Sequence, residues 1–378
     1  MKVDKLLEFA GDLGIDFFTG VPDSQLKPLC DTLFDRYKCS EKHIVAANEG
    51  AAVALASGHY LATGKPALVY MQNSGIGNAV NPVCSLTNDK VYAIPMLFVV
   101  GWRGKPGVHD EPQHVFQGEI TVKLLELLEI KTFILTGDTS DKDFETIGSE
   151  IRKVLSSGKS AAIVVEKDAL QTEVKPDFNN SFIMTREEAL GVIIQKSEDS
   201  DIFVSTTGKM SRELFETREK LNQGHSKDFL TVGSMGHSVM IAAAIALKKK
   251  NRRVFCLDGD GALLMHGGSL AVNGTLACPN MVHIVINNRA HESVGGMPTA
   301  AAHIDLVAMA LSCGYKKSFR AENENELTAI LDKLTNTDGP VFVEVNTNIK
   351  SRKDLGRPTT TPVQNRDAFM NFLKRDME

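Results

Sequence analysis

The sequence predicts an α/β protein with two similar-sized units, each a mostly parallel β-sheet flanked by helices. Short β-branched runs alternate with amphipathic helical patterns along most of the 378 residues. Most of these runs are continuously apolar, as expected for strands that are buried on both faces of a sheet. A polar, turn-rich stretch at 171–182 (QTEVKPDFNNSF) separates the two halves. We therefore expect domains at 1–170 and 183–378, joined by that linker.

The first half contains six candidate strands and one clear amphipathic helix. The strands are predicted at 16–19, 44–47, 67–71, 96–100, 132–135 and 161–165, and the helix at 141–155. Strands separated by helical connections favour parallel pairing with right-handed crossovers.

The second half repeats this rhythm with five candidate strands. They are predicted at 202–205, 229–232, 253–257, 282–287 and 341–345, with helices at 186–196, 327–334 and 365–374. A basic and then proline-bearing segment from Lys350 precedes the last helix. We find no repeat of sequence between the halves.

Composition and charge exclude several classes of function. Lys plus Arg is 42 and Asp plus Glu is 47, which gives a net charge of −5 and argues against nucleic-acid binding. The longest apolar run, 239–247, is far shorter than the roughly 20 residues that span a membrane. The acidic N-terminus does not resemble a signal peptide, and the six cysteines lack the spacing of a disulfide framework or zinc site. We expect a cytoplasmic protein without nucleic-acid or membrane partners.

The strongest motif lies where the 253–257 strand ends. Gly259-Asp260-Gly261 follows this strand and precedes a helical pattern, and Asn287-Asn288 ends the next strand after 25 intervening residues. Parallel strands bring both ends to one edge of the sheet, where α/β proteins bind ligands. Carboxylate and amide oxygens suit Mg²⁺, and glycines let backbone amides approach a diphosphate.

This spacing resembles the diphosphate–magnesium motif of thiamine-diphosphate enzymes. The resemblance implies that Asp260, Asn288 and the backbone carbonyl of Ala290 ligate Mg²⁺. It also implies cofactor contacts at Gly259, Gly261 and Ala262. The alternative is a glycine-rich turn beside a pair of strand-end asparagines.

A glutamate of the first half has the context of the family's cofactor-activating residue. In that family, a Glu at a strand end, just before a helix, contacts the pyrimidine ring. Glu49 in IVAANEGAA (44–52) matches this context, although the helix dipole also favours a first-turn glutamate. Ser74 and Gly75 resemble the Ser-Gly-x-Gly loop of the same domain, which fails as a Rossmann fingerprint because Val80 replaces the third glycine.

The resemblance implies further cofactor contacts in the second half. Thr207 and Gly208 end its first strand, and Ser234 and Met235 lie in TVGSMGH (231–237). Met235 matches the hydrophobic wedge that supports the bent cofactor. Without the resemblance, Met235 would be an ordinary core residue and the hydroxyls ordinary turn residues.

Two polar segments of the first half are candidates for proton transfer. GVPDS (20–24) resembles the family's catalytic loop, in which Ser24 aligns best and Asp23 lies beside it; a proline turn with an N-cap is the alternative. VHDEPQH (108–114) groups two imidazoles and two carboxylates in what we predict to be a loop. We favour His114 as a proton donor or substrate contact, with a solvated polar loop as the alternative.

Nearly the whole chain resembles the phosphonopyruvate decarboxylase family, to which the sulfopyruvate decarboxylases are related. The motifs at 20–24, 110–114 and 352–358 carry the likeness, and the length leaves no room for a central third domain. Arg289 departs from the family's small residue and puts the packing of its loop in question. The family implies thiamine diphosphate, Mg²⁺, and a homodimer or higher homo-oligomer with active sites at subunit interfaces.

The resemblance implies decarboxylation of 3-phosphonopyruvate to phosphonoacetaldehyde and CO₂, as part of phosphonate biosynthesis. Arg352, Lys353 and Arg357 would bind the phosphonate, since guanidinium groups recognise such oxygens well; a solvated basic stretch is the alternative. Sulfopyruvate decarboxylase and an acetolactate-forming carboligase are rival thiamine enzymes. A nucleotide-binding oxidoreductase or a non-catalytic α/β regulator is a rival of another class. The failed Rossmann match disfavours it, as does Gly158-Lys159-Ser160, which fails as a P-loop because Lys153 replaces the first glycine.

Overall fold

The chain divides into two compact units, Met1–Asp177 and Phe178–Glu378. A computed structural model describes residues 1–334 and 337–374. The division between the units falls inside the predicted 171–182 linker. Within the described ranges, no helix combines the length and apolar character needed to cross a membrane.

The first unit, described throughout, is a six-stranded parallel sheet with helices in its crossovers. Its strands are β1 (Phe18–Gly20), β2 (His43–Val45), β3 (Ala67–Gln72), β4 (Met96–Gly101), β5 (Lys131–Leu135) and β6 (Ala161–Val165). Its helices are α1 (Val3–Asp12), α2 (Lys27–Tyr37), α3 (Glu49–Thr63), α4 (Ile76–Pro82), α5 (Pro112–Leu127) and α6 (Asp141–Ser156), with a 3₁₀ turn at Asn73–Gly75. The strand order is β2-β1-β3-β4-β6-β5.

The described residues of the second unit also form a six-stranded parallel sheet. Its strands are β7 (Ile202–Ser205), β8 (Asp228–Leu230), β9 (Val254–Gly259), β10 (Met281–Asn287), β11 (Lys317–Ala321) and β12 (Val341–Asn346). Its helices are α7 (Arg186–Gln195), α8 (Lys209–Lys220), α9 (Ser238–Lys248), α10 (Asp260–Met265), α11 (Gly268–Leu276), α12 (Leu306–Ser312), α13 (Glu324–Leu334) and α14 (Pro362–Lys374). The order β8-β7-β9-β10-β12-β11 repeats that of the first unit strand for strand.

The continuously apolar strands form the cores, as predicted. Every residue of β4, β10 and β12 is buried. Phe203 and Phe255 stack on neighbouring strands with ring centroids 4.9 Å apart. Strands enclosed in this way exclude water on both faces, which stabilises the sheets mainly through burial of apolar surface. The predicted fold class is confirmed.

One strand of the second unit is missing from the prediction. β11 (KSFRA) is flanked by Lys316 and Glu322, and its first residue, Lys317, is exposed. It lies at the edge of the sheet, beside β12 only. Because an edge strand needs less apolar surface, its sequence lacks the continuous apolar run on which the prediction relied. The other strand bounds differ from the prediction by at most about two residues, as is usual for strand ends.

Candidate active site

Glu49 begins α3 and turns its carboxyl group into the protein. Asn48 caps the helix by accepting a hydrogen bond from the Ala51 amide at 2.8 Å. Only 4% of Glu49 is exposed, and Asn78 of α4 donates to its Oε2 at 2.8 Å. Burial raises the pKa of Glu49, and the hydrogen bond from Asn78 offsets only part of that effect. The group is therefore suited to hold a proton closer to neutral pH than an ordinary glutamate.

Gly75 lies against this carboxyl group. A Cβ atom added at Gly75 would stand 2.2 Å from Oε1 of Glu49, so that only glycine fits without displacing the carboxyl. Ser74, in the same 3₁₀ turn, donates from Oγ to Oε1 of Gln72 at 2.6 Å. The structure thus brings Glu49 and Gly75 into contact from the ends of different strands.

Replacing Gly75 with Ala should displace Glu49 without removing it. Misplacing a reacting group by about 1 Å costs roughly 100-fold in rate, and we expect a decrease in kcat of that size for Gly75→Ala. Gly77→Ala is the matched control, because a Cβ atom at Gly77 would meet nothing within 4 Å. Steady-state kinetics of both variants would check the prediction. Equal activity of the two variants would contradict it.

Asp23 is fully buried at the end of β1. Gln72 donates from Nε2 to its Oδ1 at 2.6 Å, and the Gln25 and Leu26 amides donate to Oδ2. A Cβ atom at Gly101 would stand 2.1 Å from Oδ2, which shows how closely β4 approaches. Burial raises the pKa of Asp23, although the hydrogen bond from Gln72 opposes the shift. The carboxyl is held rigidly, whereas the next residue, Ser24, is exposed.

Arg103 belongs to the same edge of the sheet and was not among the predicted site residues. It follows β4 and donates from Nη1 to Oγ of Ser24 at 3.1 Å. Its Nε and Nη2 form a two-pronged pair with Asp110, at 2.8 and 2.5 Å. Burial opposes ionisation of Asp110, but hydrogen bonds from Arg103 and backbone amides outweigh it and lower the pKa of Asp110. The sequence signal was an arginine in a Gly-Trp-Arg-Gly loop after a strand, which no motif singled out.

His114 lies in a helix rather than in the predicted loop. Pro112 starts α5, because its fixed φ suits the first helical turn and its missing N–H costs nothing there. The ring is buried, and Nδ1 has no hydrogen-bond partner among the described residues. Burial, and then the positive charge of Arg103, lowers the pKa of His114 to about 4. The imidazole is therefore neutral at pH 7, where it can accept a hydrogen bond or a proton but is a weak proton donor.

Asp260 begins α10 directly after β9 and is buried. Thr299 donates its hydroxyl hydrogen to Oδ2 of Asp260. Burial raises the pKa of Asp260 to about 7, and the hydrogen bond from Thr299 only partly opposes this. A nearby carboxylate, Asp258, adds to the shift. A buried carboxyl with this environment is chemically suited to a cation as its counter-charge.

The predicted metal ligands lie on neighbouring strand ends. Ile286 of β10 pairs with Gly259 of β9, which places Asn288 just beyond that pair. Thr299 joins the two segments, since its hydroxyl bonds to Asp260 and its amide donates to the Arg289 carbonyl at 3.0 Å. The sequence analysis missed Thr299, because it lies 39 residues from Asp260 and no local pattern marks it.

The loop after β10 is ordered by its own hydrogen bonds. Oδ1 of Asn288 accepts from the Ala290 amide at 3.1 Å, and Ala290 is buried. Arg289 has a φ of 61°, and its guanidinium lies 4.7 Å from the centre of the Phe182 ring. The arginine that departs from the family pattern is therefore accommodated by stacking on an aromatic ring.

The residues of this edge fit the implied cofactor and metal. A carboxylate, an amide oxygen and a backbone carbonyl form the hard oxygen set that Mg²⁺ prefers. A Cβ atom at Gly259 would meet nothing within 4 Å among the described residues, so packing within the chain does not require glycine there. Space beside a strand-end glycine is what a diphosphate needs to approach backbone amides. Gly261 and Ala262 continue into α10.

The remaining predicted contacts lie at two other strand ends of the second unit. Thr207 accepts from the Gly233 amide through Oγ1 at 2.9 Å, which links the two loops. Gly208 has a φ of 90° at the start of α8. Ser234 has a φ of 49°, and Met235, which follows it, is half-buried. Positive φ in a non-glycine residue is uncommon and marks a tightly specified loop.

Glu292 connects the predicted metal ligand Asn288 to a buried ion-pair network. Its Oε2 accepts from Nδ2 of Asn288 at 3.1 Å and from Arg186 at 2.7 Å. Its Oε1 accepts from Lys209 at 2.9 Å. Burial disfavours the charge, but the two cations outweigh it and lower the pKa of Glu292. The bond to Asn288 fixes the amide so that Oδ1 faces away from Glu292.

Of the C-terminal cations predicted to bind substrate, Arg352 has carboxylate partners within the second unit. Arg352 pairs with Glu187 of α7 at 2.8 Å and with Glu216 of α8. Its charge is thus balanced by the chain itself, which weakens its case as a phosphonate contact. Lys353 and Arg357 are exposed, and their substrate role remains a prediction.

Comparisons with known proteins identify the family. A model of the N-terminal TPP-binding domain of thiamine pyrophosphate enzymes matches residues 3–126, and the corresponding C-terminal model matches 206–345. A phosphonopyruvate decarboxylase from Streptomyces viridochromogenes is 33% identical over 377 residues, covering 96% of this chain and 92% of the relative. The chain belongs to the phosphonopyruvate decarboxylase family of thiamine pyrophosphate enzymes. Thiamine diphosphate, predicted from the motifs, is the cofactor of this family, and the predicted enzyme class is confirmed.

Other members of the thiamine pyrophosphate enzymes are similar over most of the chain. A phosphonopyruvate decarboxylase from Streptomyces hygroscopicus is 32% identical and covers 95% of this chain and 91% of the relative. A sulfopyruvate decarboxylase from Methanosarcina acetivorans is 26% identical and covers 89% and 92%. The likeness thus extends across both units.

If Asn288 ligates Mg²⁺ as predicted, Glu292 should act as a positioning residue for the metal. Glu292→Gln removes the charge that orders Asn288, Arg186 and Lys209, and leaves two cations without their shared partner. We expect weaker Mg²⁺ binding by about tenfold, within the range for residues that support metal ligands. Titration of the protein with Mg²⁺ at fixed thiamine diphosphate would measure this by calorimetry. Lys196, in an exposed pair with Asp332, provides the control Lys196→Gln, and Mg²⁺ affinity equal to the control would contradict the prediction.

Proposed function

We propose that the chain decarboxylates 3-phosphonopyruvate to phosphonoacetaldehyde and CO₂. The carrying observation is the near full-length similarity to two phosphonopyruvate decarboxylases, at 33% and 32% identity, against 26% for the sulfopyruvate decarboxylase. The buried Glu49, in contact with Gly75, supports chemistry that depends on thiamine diphosphate.

The chain's residues divide the work of holding the cofactor. When bound, thiamine diphosphate supplies the electron sink for the carbanion left by loss of CO₂. Glu49 would hydrogen-bond the pyrimidine ring and hold a proton there. Asp260, Asn288 and the Ala290 carbonyl would ligate Mg²⁺. Thr207, Gly208, Ser234, Gly259, Gly261 and Ala262 would contact the cofactor, together with Ser74 and Met235.

A second set of residues would transfer the proton that replaces CO₂ on the substrate. The raised pKa of Asp23 suits proton donation closer to neutral pH, whereas the neutral ring of His114 can accept a proton or contact the substrate. Ser24 is the exposed member of this set, and its hydroxyl both accepts and donates hydrogen bonds. We assign the proton transfer to these three residues.

The assembly and location are further parts of the proposal. The family resemblance favours a homodimer or higher homo-oligomer with active sites at subunit interfaces. None of the six cysteines is in a disulfide bond, which supports a reducing compartment such as the cytoplasm.

The deciding experiment uses the purified chain with thiamine diphosphate, Mg²⁺ and 3-phosphonopyruvate. We expect equal amounts of CO₂ and aldehyde. Sulfopyruvate used equally well or better would overturn the substrate assignment. Acetolactate formed from pyruvate would reveal a carboligase instead.

A further inference from the structure

We propose that Arg103 binds the second anionic group of the substrate and selects 2-oxo acids that carry one. This inference rests on the proposed function, because it assigns the phosphonate of 3-phosphonopyruvate to one cation of the first unit. It differs from the sequence prediction, which placed this contact on the C-terminal cations.

Arg103 is fixed among residues that the family resemblance assigns to the reaction. Its backbone is clamped by Asn73, whose Nδ2 donates to the Arg103 carbonyl at 2.8 Å and whose Oδ1 accepts from the Arg103 amide at 3.2 Å. Asn73 begins the 3₁₀ turn that ends at Gly75, against Glu49. At its other end, the guanidinium reaches Ser24 of the predicted catalytic loop. Hydrogen bonds to its backbone therefore hold the Arg103 guanidinium beside the predicted catalytic loop.

The guanidinium is anchored on one side and reaches a neutral partner on the other. Asp110 holds Nε and Nη2, which leaves Nη1 to donate to the hydroxyl of Ser24. A phosphonate oxygen is a stronger acceptor for a guanidinium than a neutral hydroxyl is. An arginine that is already held in place also loses little rotamer freedom when it binds a ligand.

The negative charge of Asp110 is shared between Arg103 and two backbone amides. Its Oδ2 also accepts from the Gly104 amide at 2.9 Å, and its Oδ1 accepts from the Glu111 amide at 2.8 Å. His114 beside it is neutral at pH 7, since burial lowers its pKa to about 4. Arg103 thus supplies the fixed positive charge of the cluster formed by Asp23, Ser24, Arg103, Asp110 and His114.

The C-terminal alternative is weaker on the same criteria. Arg352 is paired with Glu187 and Glu216, on two different helices, and with Asp354 at 3.2 Å. Three carboxylates around one guanidinium disfavour a further anion. Arg103 forms one ion pair, with Asp110, in which backbone amides share the negative charge; Asp23 and Glu111 add attraction without an ion pair.

The test compares Arg103→Met with Lys105→Met in the cofactor-loaded enzyme. Lys105 is a cation of the same loop that pairs with Glu166, away from the proposed contact. For Arg103→Met we expect kcat/KM for 3-phosphonopyruvate to fall roughly 10- to 100-fold, mainly through KM, as for a lost hydrogen bond to a charged group. Competitive inhibition by phosphonoacetate should weaken by a similar factor, and added guanidinium should restore part of the activity. Lys105→Met should match the wild type.

The outcomes separate this inference from the proposed function. Absence of wild-type turnover of 3-phosphonopyruvate overturns the proposed function. Wild-type turnover with unchanged KM and phosphonoacetate inhibition in Arg103→Met overturns the inference, as does the expected effect appearing in Lys353→Met or Arg357→Met instead. Arg103→Lys keeps the charge without the fork, so an intermediate KM supports the inference even if Arg103→Met folds poorly. Normal binding of Mg²⁺ and thiamine diphosphate shows that the effect lies on the substrate.

Discussion

Replacement of Glu49 with Gln is expected to reduce decarboxylation by about 100- to 10,000-fold, the usual contribution of a positioned acid or base. Gln fills nearly the same volume and can keep the contact with Asn78, but it cannot exchange a proton. The loss should appear in kcat, because the carboxyl is needed for reaction rather than for holding the diphosphate. Single-turnover CO₂ release with bound cofactor would measure it.

The stability of Glu49→Gln relative to the wild type should depend on pH. Burial raises the pKa of Glu49 in the folded chain, so the folded state favours the protonated carboxyl. Its contribution is fully present below the ordinary glutamate pKa of about 4.3 and is lost as pH rises through the folded value. The free energy of unfolding of Glu49→Gln, relative to the wild type, should therefore increase as pH rises from about 4.3. Unfolding of the cofactor-free protein at several pH values would show the trend.

An exposed glutamate provides the control for both measurements. Glu145 on α6 is exposed, and Glu145→Gln should change neither activity nor the pH dependence of stability. Full activity in Glu49→Gln would refute the assigned role of Glu49. A pH trend identical to that of Glu145→Gln would show that burial does not penalise the carboxylate.

Most of the strands could be predicted from the sequence because they are buried. Strands such as β10, in which every residue is buried, appear as apolar runs because both faces meet helices. The edge strand β11 carries Lys317 and Arg320, so a search for continuous apolar runs does not predict it. The identical strand order of the two units left no trace in the sequence, because strand pairing depends on topology and not on residue type.

The motifs from which the site is predicted are local. Gly259-Asp260-Gly261 and Glu49 sit at strand ends in short, recognisable contexts. Thr299 contacts Asp260 and Glu292 contacts Asn288 only in the folded chain, and neither Thr299 nor Glu292 has a distinctive neighbourhood in sequence. Long-range hydrogen bonds of this kind become visible only in three dimensions.

The charge pattern of the sequence does not show where the counter-charges lie. Four cations within eight residues predict an anion site at the C-terminal segment, and that prediction is untested. Arg352 meets Glu187 and Glu216, more than 130 residues away along the chain. Arg103 lies outside any run of cations in the sequence but is brought beside Ser24 by the ends of β1 and β4.

Asp260→Asn is expected to weaken the Mg²⁺-dependent binding of thiamine diphosphate severely, and to lower the activity with it. Asn keeps an oxygen but not the negative charge, and a buried anion is the strongest attraction that this edge offers a divalent cation. Loss of a metal ligand should weaken binding at least as much as loss of a supporting residue, by about 100-fold. Calorimetric titration of thiamine diphosphate at saturating and at zero Mg²⁺ would measure the difference.

The exposed Asp332 on α13 offers a matched Asp-to-Asn control. Asp332→Asn should bind cofactor and metal as the wild type does. Asp260→Asn should remain folded, because it replaces a buried carboxyl that is disfavoured by desolvation with a neutral group of similar shape. If Asp260→Asn bound Mg²⁺ and thiamine diphosphate with wild-type affinity, the metal would have to be held elsewhere, and the assignment of Asn288 and Ala290 would fall with it.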